Sequence, residues 1–311
     1  MQKIVIIGAG LTAEQHLIAA SAHSTMTVVG IFSRTRSKAE LLAQKYNIAT
    51  VADSIEGLFR STSADGVIIC VNETSCLEVC SAVLQYDWKI LVEKPVGITV
   101  AETHQVQELE RRGKGKIFAA LNRRHYPSTR RALEILQGCD GSRFISILDQ
   151  EAPTAQDRRP KIVLDNWHIA NSIHLIDLFH VFMRGDLVEI ENHFDRSDGA
   201  FYTHSTLAFD SGDKGVYTSI WDAPAPWEVG IFTVDKRLIM SPIETLACQT
   251  YPSRACNEVI GVDPNHIFKV GFVEQLAEFL KCLIGAEHLL PNLETYRRSL
   301  NLAEALHRSK R

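Results

Sequence analysis

A glycine-rich segment near the amino terminus has the composition of a phosphate-binding loop. Gly8-Ala9-Gly10-Leu11-Thr12-Ala13 fits the pattern G-x-G-x-x-G/A, follows a short β-branched run and opens a helical stretch. Gly8 would allow the tight turn, Gly10 would let the backbone approach a pyrophosphate, and Ala13 is small enough for close helix–strand packing. The free N–H groups at such a helix start attract anions. The segment predicts a dinucleotide site, and the alternative is a glycine turn without a ligand.

The residues after the second predicted strand bear on the choice of dinucleotide. A fold of this kind that uses NAD usually places an acidic residue about 20 residues after the glycines. This chain has no acidic residue between Glu14 and Glu40 and has Ser33 and Arg34 in that region, followed by Lys38. Arginine pairs with phosphate through two parallel hydrogen bonds. The stretch therefore favours NADP(H), with NAD(H) possible, although Lys38 could also be a solvated charge at a helix start.

A charged pair follows a predicted buried strand at Glu93-Lys94-Pro95. Ligands of open α/β sheets bind outside the carboxyl ends of the strands, and the proline would hold Lys94 in an extended conformation. A lysine there can hydrogen-bond a substrate hydroxyl and, when partly buried, can take part in proton transfer. Lys94 is therefore a candidate catalytic residue, and the alternative is a salt-bridged strand end.

A later predicted helix carries polar residues three positions apart. Asn171, His174 and Asp177 would lie along one side of an α-helix and form a polar stripe in which Asp177 orients the imidazole of His174. His168, His174 and His180 are six residues apart and do not share a helix face, so a three-histidine metal site is not expected. The alternative to a substrate-facing stripe is a buried histidine that holds the helix to its domain.

Length and composition limit the remaining possibilities. The chain has 311 residues, of which 45% are apolar and 23% charged, which is typical of a globular protein of about two domains. The net charge of −4 lacks the basic footprint of nucleic-acid binders. The apolar runs are too short for a membrane span, the amino terminus does not resemble a signal peptide, and the seven cysteines lack a paired C-x-x-C spacing. We therefore expect a cytoplasmic protein that binds neither nucleic acid nor membranes.

Hydrophobic patterning divides the chain into two halves. Up to about residue 122, short apolar runs alternate with helical stretches, as in βαβ units around a buried parallel sheet. After two further helices, β-rich runs follow one another between residues 188 and 240, which indicates an antiparallel sheet. We predict an α/β dinucleotide-binding domain over 1–122 and an α+β domain over 123–311. One layer of helices could not cover these β-rich runs, so we also expect a homo-oligomer.

Taken together, these segments resemble the glucose–fructose oxidoreductase / inositol dehydrogenase / MocA family of oxidoreductases. The resemblance covers nearly the whole chain and rests on the glycine segment with His16, Asp65-Gly66-Val67-Ile68-Ile69, Glu93-Lys94-Pro95, Asn122-Arg123-Arg124, the segment from Ser172 to Asp177, and Asn301-Leu302-Ala303-Glu304-Ala305. It implies an N-terminal Rossmann domain and a C-terminal α+β domain for substrate binding and oligomerisation. This second domain would have a large, mostly antiparallel open sheet, and the assembly would be a homodimer or homotetramer.

The resemblance also implies roles for single residues. The lysine that matches Lys94 assists catalysis, the histidine that matches His174 contacts the substrate alcohol or carbonyl, and the position of Asn122 lies near the nicotinamide and the substrate. Trp167 could stack on a sugar, although tryptophans of this kind also serve in core packing.

The sequence departs from the family pattern at two places. Family members often have an Asp four residues before the histidine and a Gly two before it, whereas this chain has Ala170 and Ser172. The usual proton relay would therefore be altered. The segment after the fourth strand often reads Thr-Pro, and here it reads Val71-Asn72, so we expect cofactor contacts through Asn72 and backbone groups.

The sequence predicts an NAD(P)-dependent oxidoreductase, with NADP(H) favoured, that transfers a hydride between nicotinamide and a sugar-like or polyhydroxylated alcohol or carbonyl substrate. The predicted cofactor residues are Gly8, Ala9, Gly10, Leu11, Thr12, Ala13, Ser33, Arg34, Lys38, Val71, Asn72, Glu93, Lys94 and Asn122. The predicted substrate residues are Lys94, Asn122, Trp167, Asn171, His174 and Asp177, with Lys94 and His174 catalytic. Two alternatives stay open: a catalytically silent dinucleotide-binding regulator of the same fold, and a reductase of a non-sugar substrate.

Overall fold

The computed structural model describes residues 1–156, 158–197, 200–261 and 268–307, and the chain forms two compact units. Unit 1 comprises Met1–Asn122 and His266–Arg297, and unit 2 comprises Arg123–Asn265 and Arg298–Arg311. The first boundary coincides with the division at residue 122 that the sequence suggests. The chain then returns to unit 1 near its carboxyl end, and the predicted second domain over 123–311 does not account for this return.

Six parallel strands form the sheet of unit 1, in the order β3-β2-β1-β4-β5-β6. Their bounds are β1 (Gln2–Ile7), β2 (Met26–Phe32), β3 (Thr50–Ala52), β4 (Gly66–Ile69), β5 (Lys89–Glu93) and β6 (Lys116–Ala120). All four residues of β4 are buried, as expected for a strand covered on both faces. The strand order reverses between β1 and β4, the position at which sheets of this topology bind dinucleotides.

Five helices connect these strands, and a sixth comes from the carboxyl-terminal part of the chain. They are α1 (Leu11–Ala20), α2 (Arg36–Tyr46), α3 (Ile55–Thr62), α4 (Cys76–Val83), α5 (Val100–Arg112) and α9 (Phe272–Leu283). Helix α9 contacts α1 and β5. Its buried side chains Phe272, Leu276 and Phe279 share one face at a spacing of four and three residues, and they join the core around Leu17. The core of unit 1 therefore includes residues from the distant end of the sequence.

Eight strands form the sheet of unit 2, in the order β14-β13-β12-β11-β7-β10-β9-β8. Their bounds are β7 (Phe144–Glu151), β8 (Leu187–Ser197), β9 (Ala200–Phe209), β10 (Lys214–Trp221), β11 (Glu228–Phe232), β12 (Lys236–Met240), β13 (Leu246–Thr250) and β14 (Cys256–Ile260). Neighbouring strands are antiparallel except for β7 and β10, which are parallel. A Rossmann-like sheet followed by a mostly antiparallel one confirms the predicted fold class.

Along β7, buried and more exposed side chains alternate between the two faces of the unit 2 sheet. On β7, residues 145, 147, 149 and 151 are buried, whereas 144, 146, 148 and 150 are exposed or half-buried. The helices of this unit are α6 (Pro127–Gln137), α7 (Lys161–Asp165), α8 (Ile173–Phe182) and α10 (Leu293–His307), whose residues from 298 onward belong to unit 2. Of the helices described here, none combines the length and the apolar character that crossing a membrane requires.

Candidate functional site

The glycine segment forms the turn between β1 and α1, where sterics dictate the residue types. Gly8 has φ of +115°, and a Cβ added there would collide with the carbonyl oxygen of Cys70 on the neighbouring chain segment. A Cβ at Gly10 would meet nothing within 4 Å, so the backbone there borders open space. Gly10 is also the N-cap of α1 and offers no side-chain cap to the first N–H groups of that helix. The first backbone N–H groups of α1 therefore have no side-chain cap and lie beside the open space at Gly10, an arrangement that suits a pyrophosphate.

A pocket of about 200 Å³ opens beside this turn. The residues that line it are Ile7, Gly8, Ala9, Gly10, Phe32, Ser33, Arg34, Thr35, Lys38, Cys70, Val71, Asn72 and Val79. Eight of the predicted cofactor residues are thus gathered around one space at the carboxyl ends of β1, β2 and β4. Leu11, at the first position of α1, is exposed, and Ala13 is buried in the core. The described wall of this pocket includes no acidic side chain.

The side chains after β2 hold defined positions at the pocket. Arg34 donates from Nη2 to Oγ of Ser75 at 2.9 Å, and Oγ of Ser33 accepts from the backbone N–H of Thr35 at 3.3 Å. Arg36 differs, because its guanidinium pairs with exposed acidic side chains and it does not line the pocket. Arg34 is therefore the arginine of this stretch that could meet a phosphate on the cofactor ribose.

A hydrogen bond between a histidine and a carboxylate links the end of β5 to α1. Nε2 of His16 lies 2.8 Å from Oε1 of Glu93, and His16 is fully buried, with its ring 4.8 Å from that of Phe272 between centroids. The carboxylate of Glu93, one of the predicted cofactor residues, contacts this histidine. The pair fixes the residue immediately before Lys94, which is half-buried. No local sequence pattern links His16 to Glu93, because the two residues lie 77 positions apart.

Asn122 follows β6 and is almost completely buried in unit 1. Its Nδ2 donates to the carbonyl oxygen of Val270 at 3.2 Å, which links the end of β6 to the segment before α9. The amide therefore has a structural contact at the same edge of the sheet as the glycine turn and the end of β5.

The helical stretch that carries Asn171, His174 and Asp177 changes type along its length. His168–Ser172 makes one turn of π-helix before α8 begins, and such turns shift the residues that follow onto a different face. Asn171 directs Nδ2 at Glu151, whereas Asp177 binds Arg124 through Oδ2–Nε and Oδ1–Nη2 contacts of 2.6 Å each.

Asp177 therefore has a structural role in unit 2. Besides Arg124, it accepts a hydrogen bond of 2.5 Å from Oγ of Ser299 on α10, and its side chain is only 1% exposed. Both carboxylate oxygens are occupied by contacts that join α8 to α10 and to the segment that enters α6. Asp177, which the sequence suggested as a residue that orients His174 and binds substrate, holds a buried ion pair in this structure. His174 itself is buried on the first turn of α8.

A second pocket, of about 460 Å³, lies at the carboxyl end of β7 in unit 2, and we call it the Glu151 pocket. It is lined by Gln150, Glu151, Ala152, Gln156, Arg159, Trp167, Asn171 and Trp227. Glu151 is buried and accepts from Nε1 of Trp167 at 2.9 Å and from Nδ2 of Asn171 at 2.8 and 2.7 Å. Two predicted substrate residues, Trp167 and Asn171, thus share one pocket. Sequence reasoning missed Glu151, although the alternation along β7 places this acidic residue at an inward position.

Comparison with known proteins defines the class. Residues 2–121 match the model of an oxidoreductase family with an NAD-binding Rossmann fold. No curated protein matches the chain in sequence. The chain is thus an oxidoreductase with a nucleotide-binding Rossmann unit. That model is the one of the glucose–fructose oxidoreductase / inositol dehydrogenase / MocA family, and over these residues the match confirms the resemblance that the motifs indicated.

Solved structures share the fold over almost the entire chain. A dehydrogenase from Chromobacterium violaceum has a TM-score of 0.85 at 15% identity, covering 98% of this chain and 94% of its own. A proposed NADPH-dependent oxidoreductase from Desulfitobacterium hafniense has a TM-score of 0.83 at 17% identity, covering 98% and 94%. UDP-N-acetylglucosamine 3-dehydrogenase GnnA from Acidithiobacillus ferrooxidans has a TM-score of 0.79 at 15% identity, covering 98% and 96%. At these identities the likeness establishes the common fold.

The assignment of Asp177 to structure can be tested by stability. Removing one partner of a buried ion pair leaves the other charge uncompensated, so Asp177→Ala should lower the free energy of unfolding by about 3–5 kcal/mol in urea titration. Asp165→Ala is the control, because Asp165 pairs with Lys161 at the surface, where such pairs contribute about 0–1 kcal/mol. Equal, small losses in the two variants would contradict the buried role of Asp177.

Proposed function

We propose that the protein is an NADP(H)-preferring oxidoreductase that transfers a hydride between nicotinamide and an alcohol or carbonyl group of a sugar-like, polyhydroxylated substrate. The observation that carries the proposal is the pocket of unit 1, which combines the glycine turn with Ser33 and Arg34 and has no acidic side chain among its described lining residues. The similarity in fold to a dehydrogenase of UDP-N-acetylglucosamine supports the substrate class.

The residues of unit 1 fit the proposed cofactor. Gly8 and Gly10 would let the backbone approach the pyrophosphate, whose charge the uncapped N–H groups of α1 would stabilise. Arg34, with its guanidinium already oriented by Ser75, would pair with the 2′-phosphate, and Ser33 and Lys38 would add a hydroxyl and a second cation. Val71 and Asn72 would form the opposite wall.

The cofactor, when bound, supplies the hydride-transfer chemistry. In our proposal the protein handles the proton of the reacting oxygen. Nζ of Lys94 takes the proton from the substrate hydroxyl during oxidation and returns it to the carbonyl oxygen during reduction. The His16–Glu93 pair keeps the end of β5 in one position, and His174 orients the substrate oxygen by a hydrogen bond.

A regulator that binds the dinucleotide without turnover is the second candidate. The observation that favours it is Ala170, which is buried and offers no acidic group one helical turn before His174. The two candidates predict the same cofactor pocket but differ in the role of Lys94. We also propose a reducing, cytoplasmic environment, because all seven cysteines have free thiols.

The cofactor preference is tested by calorimetric titration of NADPH and NADH. The unmodified protein should bind NADPH more tightly, and Arg34→Ala should remove most of the difference. A hydrogen-bonded charge contact contributes roughly 1.5–3 kcal/mol, which corresponds to about 10- to 150-fold in affinity. Arg36→Ala, whose side chain lies outside the pocket, should keep the preference. Equal affinity of the unmodified protein for the two cofactors would refute the proposal.

The role of Lys94 separates an enzyme from a regulator. On a substrate found by assaying sugars, polyols and sugar nucleotides with NADPH and NADP⁺, Lys94→Ala should reduce kcat by about 10²–10⁴, as for other acid–base groups. Lys94→Arg should not restore turnover, because a guanidinium does not release its proton in a protein. Lys89→Ala, at the exposed start of the same strand, should change little. Turnover by Lys94→Ala within a few-fold of normal would exclude this role, and tight cofactor binding without any turnover would favour the regulator.

We further propose that the protein is a homodimer or homotetramer joined through the open face of the unit 2 sheet. Phe144, Leu148, Val216, Ile220 and Phe232 are exposed or half-buried on that face, opposite the one that the helices cover. Apolar faces of this kind usually find a partner. Sedimentation at micromolar concentration should show an oligomer. Leu148→Arg should shift this oligomer toward the monomer, whereas Gln137→Arg, at an exposed position of α6, should leave it unchanged. A monomeric unmodified protein would contradict the proposal.

A further inference from the structure

The inward face of β7 ends in two buried carboxylates with different surroundings. Asp149 is fully buried and accepts a 2.6 Å hydrogen bond from the hydroxyl of Tyr217 on β10. Burial raises the pKa of Asp149, an effect that the hydrogen bond from Tyr217 only partly opposes. Two residues further along, Glu151 is also buried but lines the Glu151 pocket. Asp149 therefore serves the interior of unit 2, and Glu151 is the carboxylate that a ligand in this pocket would meet.

Glu151 is held rigidly by neutral donors. Trp167 donates Nε1 to Oε2 at 2.9 Å, and Asn171 donates Nδ2 to both oxygens at 2.8 and 2.7 Å. Burying a carboxylate is costly unless it is hydrogen-bonded, and these contacts offset the cost in part. Trp167 and Asn171 are themselves walls of the pocket, so the carboxylate also fixes the direction of the indole N–H and of the carboxamide. The arrangement has the rigidity that a selective binding site needs.

The other walls of the pocket favour a flat, hydroxyl-rich ligand. Trp227 is anchored by its Nε1, which donates to the carbonyl oxygen of Gln150 at 2.5 Å, and its ring lies 5.0 Å from the guanidinium of Arg123. Gln150 and Gln156 add carboxamides. Such a mixture of indole surface and planar polar groups matches the apolar faces and polar edges of a sugar ring.

Two other ligand classes fit the pocket less well. A metal ion would need several ligating side chains, and within the described part of the chain no group of three or more His, Cys, Asp or Glu residues is placed to hold one. A purely apolar ligand would leave the carboxylate of Glu151 desolvated without new hydrogen bonds. A carboxylate accepts and cannot donate, so the complementary ligand groups are hydrogen-bond donors, and in a polyhydroxylated ligand these are the hydroxyls.

We propose that Glu151 is a specificity-determining residue whose carboxylate accepts hydrogen bonds from hydroxyl groups of a polyhydroxylated ligand in the Glu151 pocket. The substrate class in this inference rests on the proposed function. The assignment of the contact to Glu151 rests on the pocket itself. Glu151 would then provide the acidic contact of unit 2 to the ligand. It lies at the end of β7, whereas the acidic residue that family members often have before the histidine is Ala170 in this chain.

The experiment compares hydroxyl deletion in the ligand with charge deletion in the protein. Myo-inositol, D-glucose, N-acetyl-D-glucosamine and their monodeoxy analogues are titrated against the cofactor-bound protein by tryptophan fluorescence, because Trp167 and Trp227 line the pocket. The variants are Glu151→Gln, which keeps the size but removes the charge, and Glu191→Gln, an exposed control on β8. The ratio kcat/KM is measured as well for each ligand that is turned over.

If Glu151 contacts a hydroxyl, Glu151→Gln should weaken binding of the parent ligand by about 10- to 150-fold. It should change binding of the analogue that lacks that hydroxyl only a few-fold, and Glu191→Gln should match the unmodified protein. Uniform weakening of the parent and all analogues would mean a merely structural role and would overturn the inference. Binding of none of these ligands would overturn it too.

The outcome separates this inference from the proposed function. Selective binding without turnover would refute the enzymatic proposal and support the role of Glu151. Turnover that Glu151→Gln leaves unchanged would support the enzyme and refute that role. If Glu151→Gln fails to fold, Glu151→Asp provides the same comparison, since it keeps the carboxylate but withdraws it by one methylene. It should then discriminate less between the parent and the deoxy analogue.

Discussion

The close approach of the turn after β1 to the carbonyl oxygen of Cys70 is the constraint on which the nucleotide pocket depends. Glycine has no Cβ, so the chain can pass close to Cys70 at position 8 and turn immediately after the strand. It then enters α1 with its first N–H groups toward the carboxyl edge of the sheet. The same edge receives the ends of β2 and β4, which bring Arg34 and Asn72 to the pocket wall. A bulkier residue at this position would displace either the turn or β4, and the cradle would be lost with it.

Unit 2 shows how differently buried carboxylates can be used. Burial alone would raise the pKa of Asp213, but hydrogen bonds from Arg184 and from the backbone of Arg143 outweigh it, and the pKa is lowered. Asp149 accepts a hydrogen bond from the neutral hydroxyl of Tyr217, and burial raises its pKa. Asp177 has a guanidinium that binds both oxygens. Glu151 accepts hydrogen bonds from Trp167 and Asn171 and also lines a pocket, where a ligand can reach it.

Local patterns predicted much of this protein, since they depend on neighbouring residues. The glycine segment, the run from Ser33 to Lys38 and the alternation of strands and helices are readable within short windows, and the structure gathers them at one edge of a parallel sheet. Sequence patterns did not reveal which residues pair when the two lie far apart along the chain. His16 with Glu93 and Arg124 with Asp177 are joined only by tertiary packing. The predicted stripe assumed one regular α-helix, whereas the structure places Asn171 in a π-helical turn and His174 and Asp177 in α8.

The return of α9 to unit 1 has a consequence for how the protein is made. The core of unit 1 contains Phe272, Leu276 and Phe279, which emerge from the ribosome only after the whole strand-rich segment of unit 2 has been synthesised. Until then, the apolar surface of α1 and β5 that α9 covers stays exposed on the nascent chain. Contacts between residues so distant in sequence form slowly, because bringing the two segments together costs loop-closure entropy before the contacts compensate for it. The nucleotide-binding unit therefore completes its core only after Phe279 has been synthesised, and until then its uncovered apolar surface is prone to aggregation.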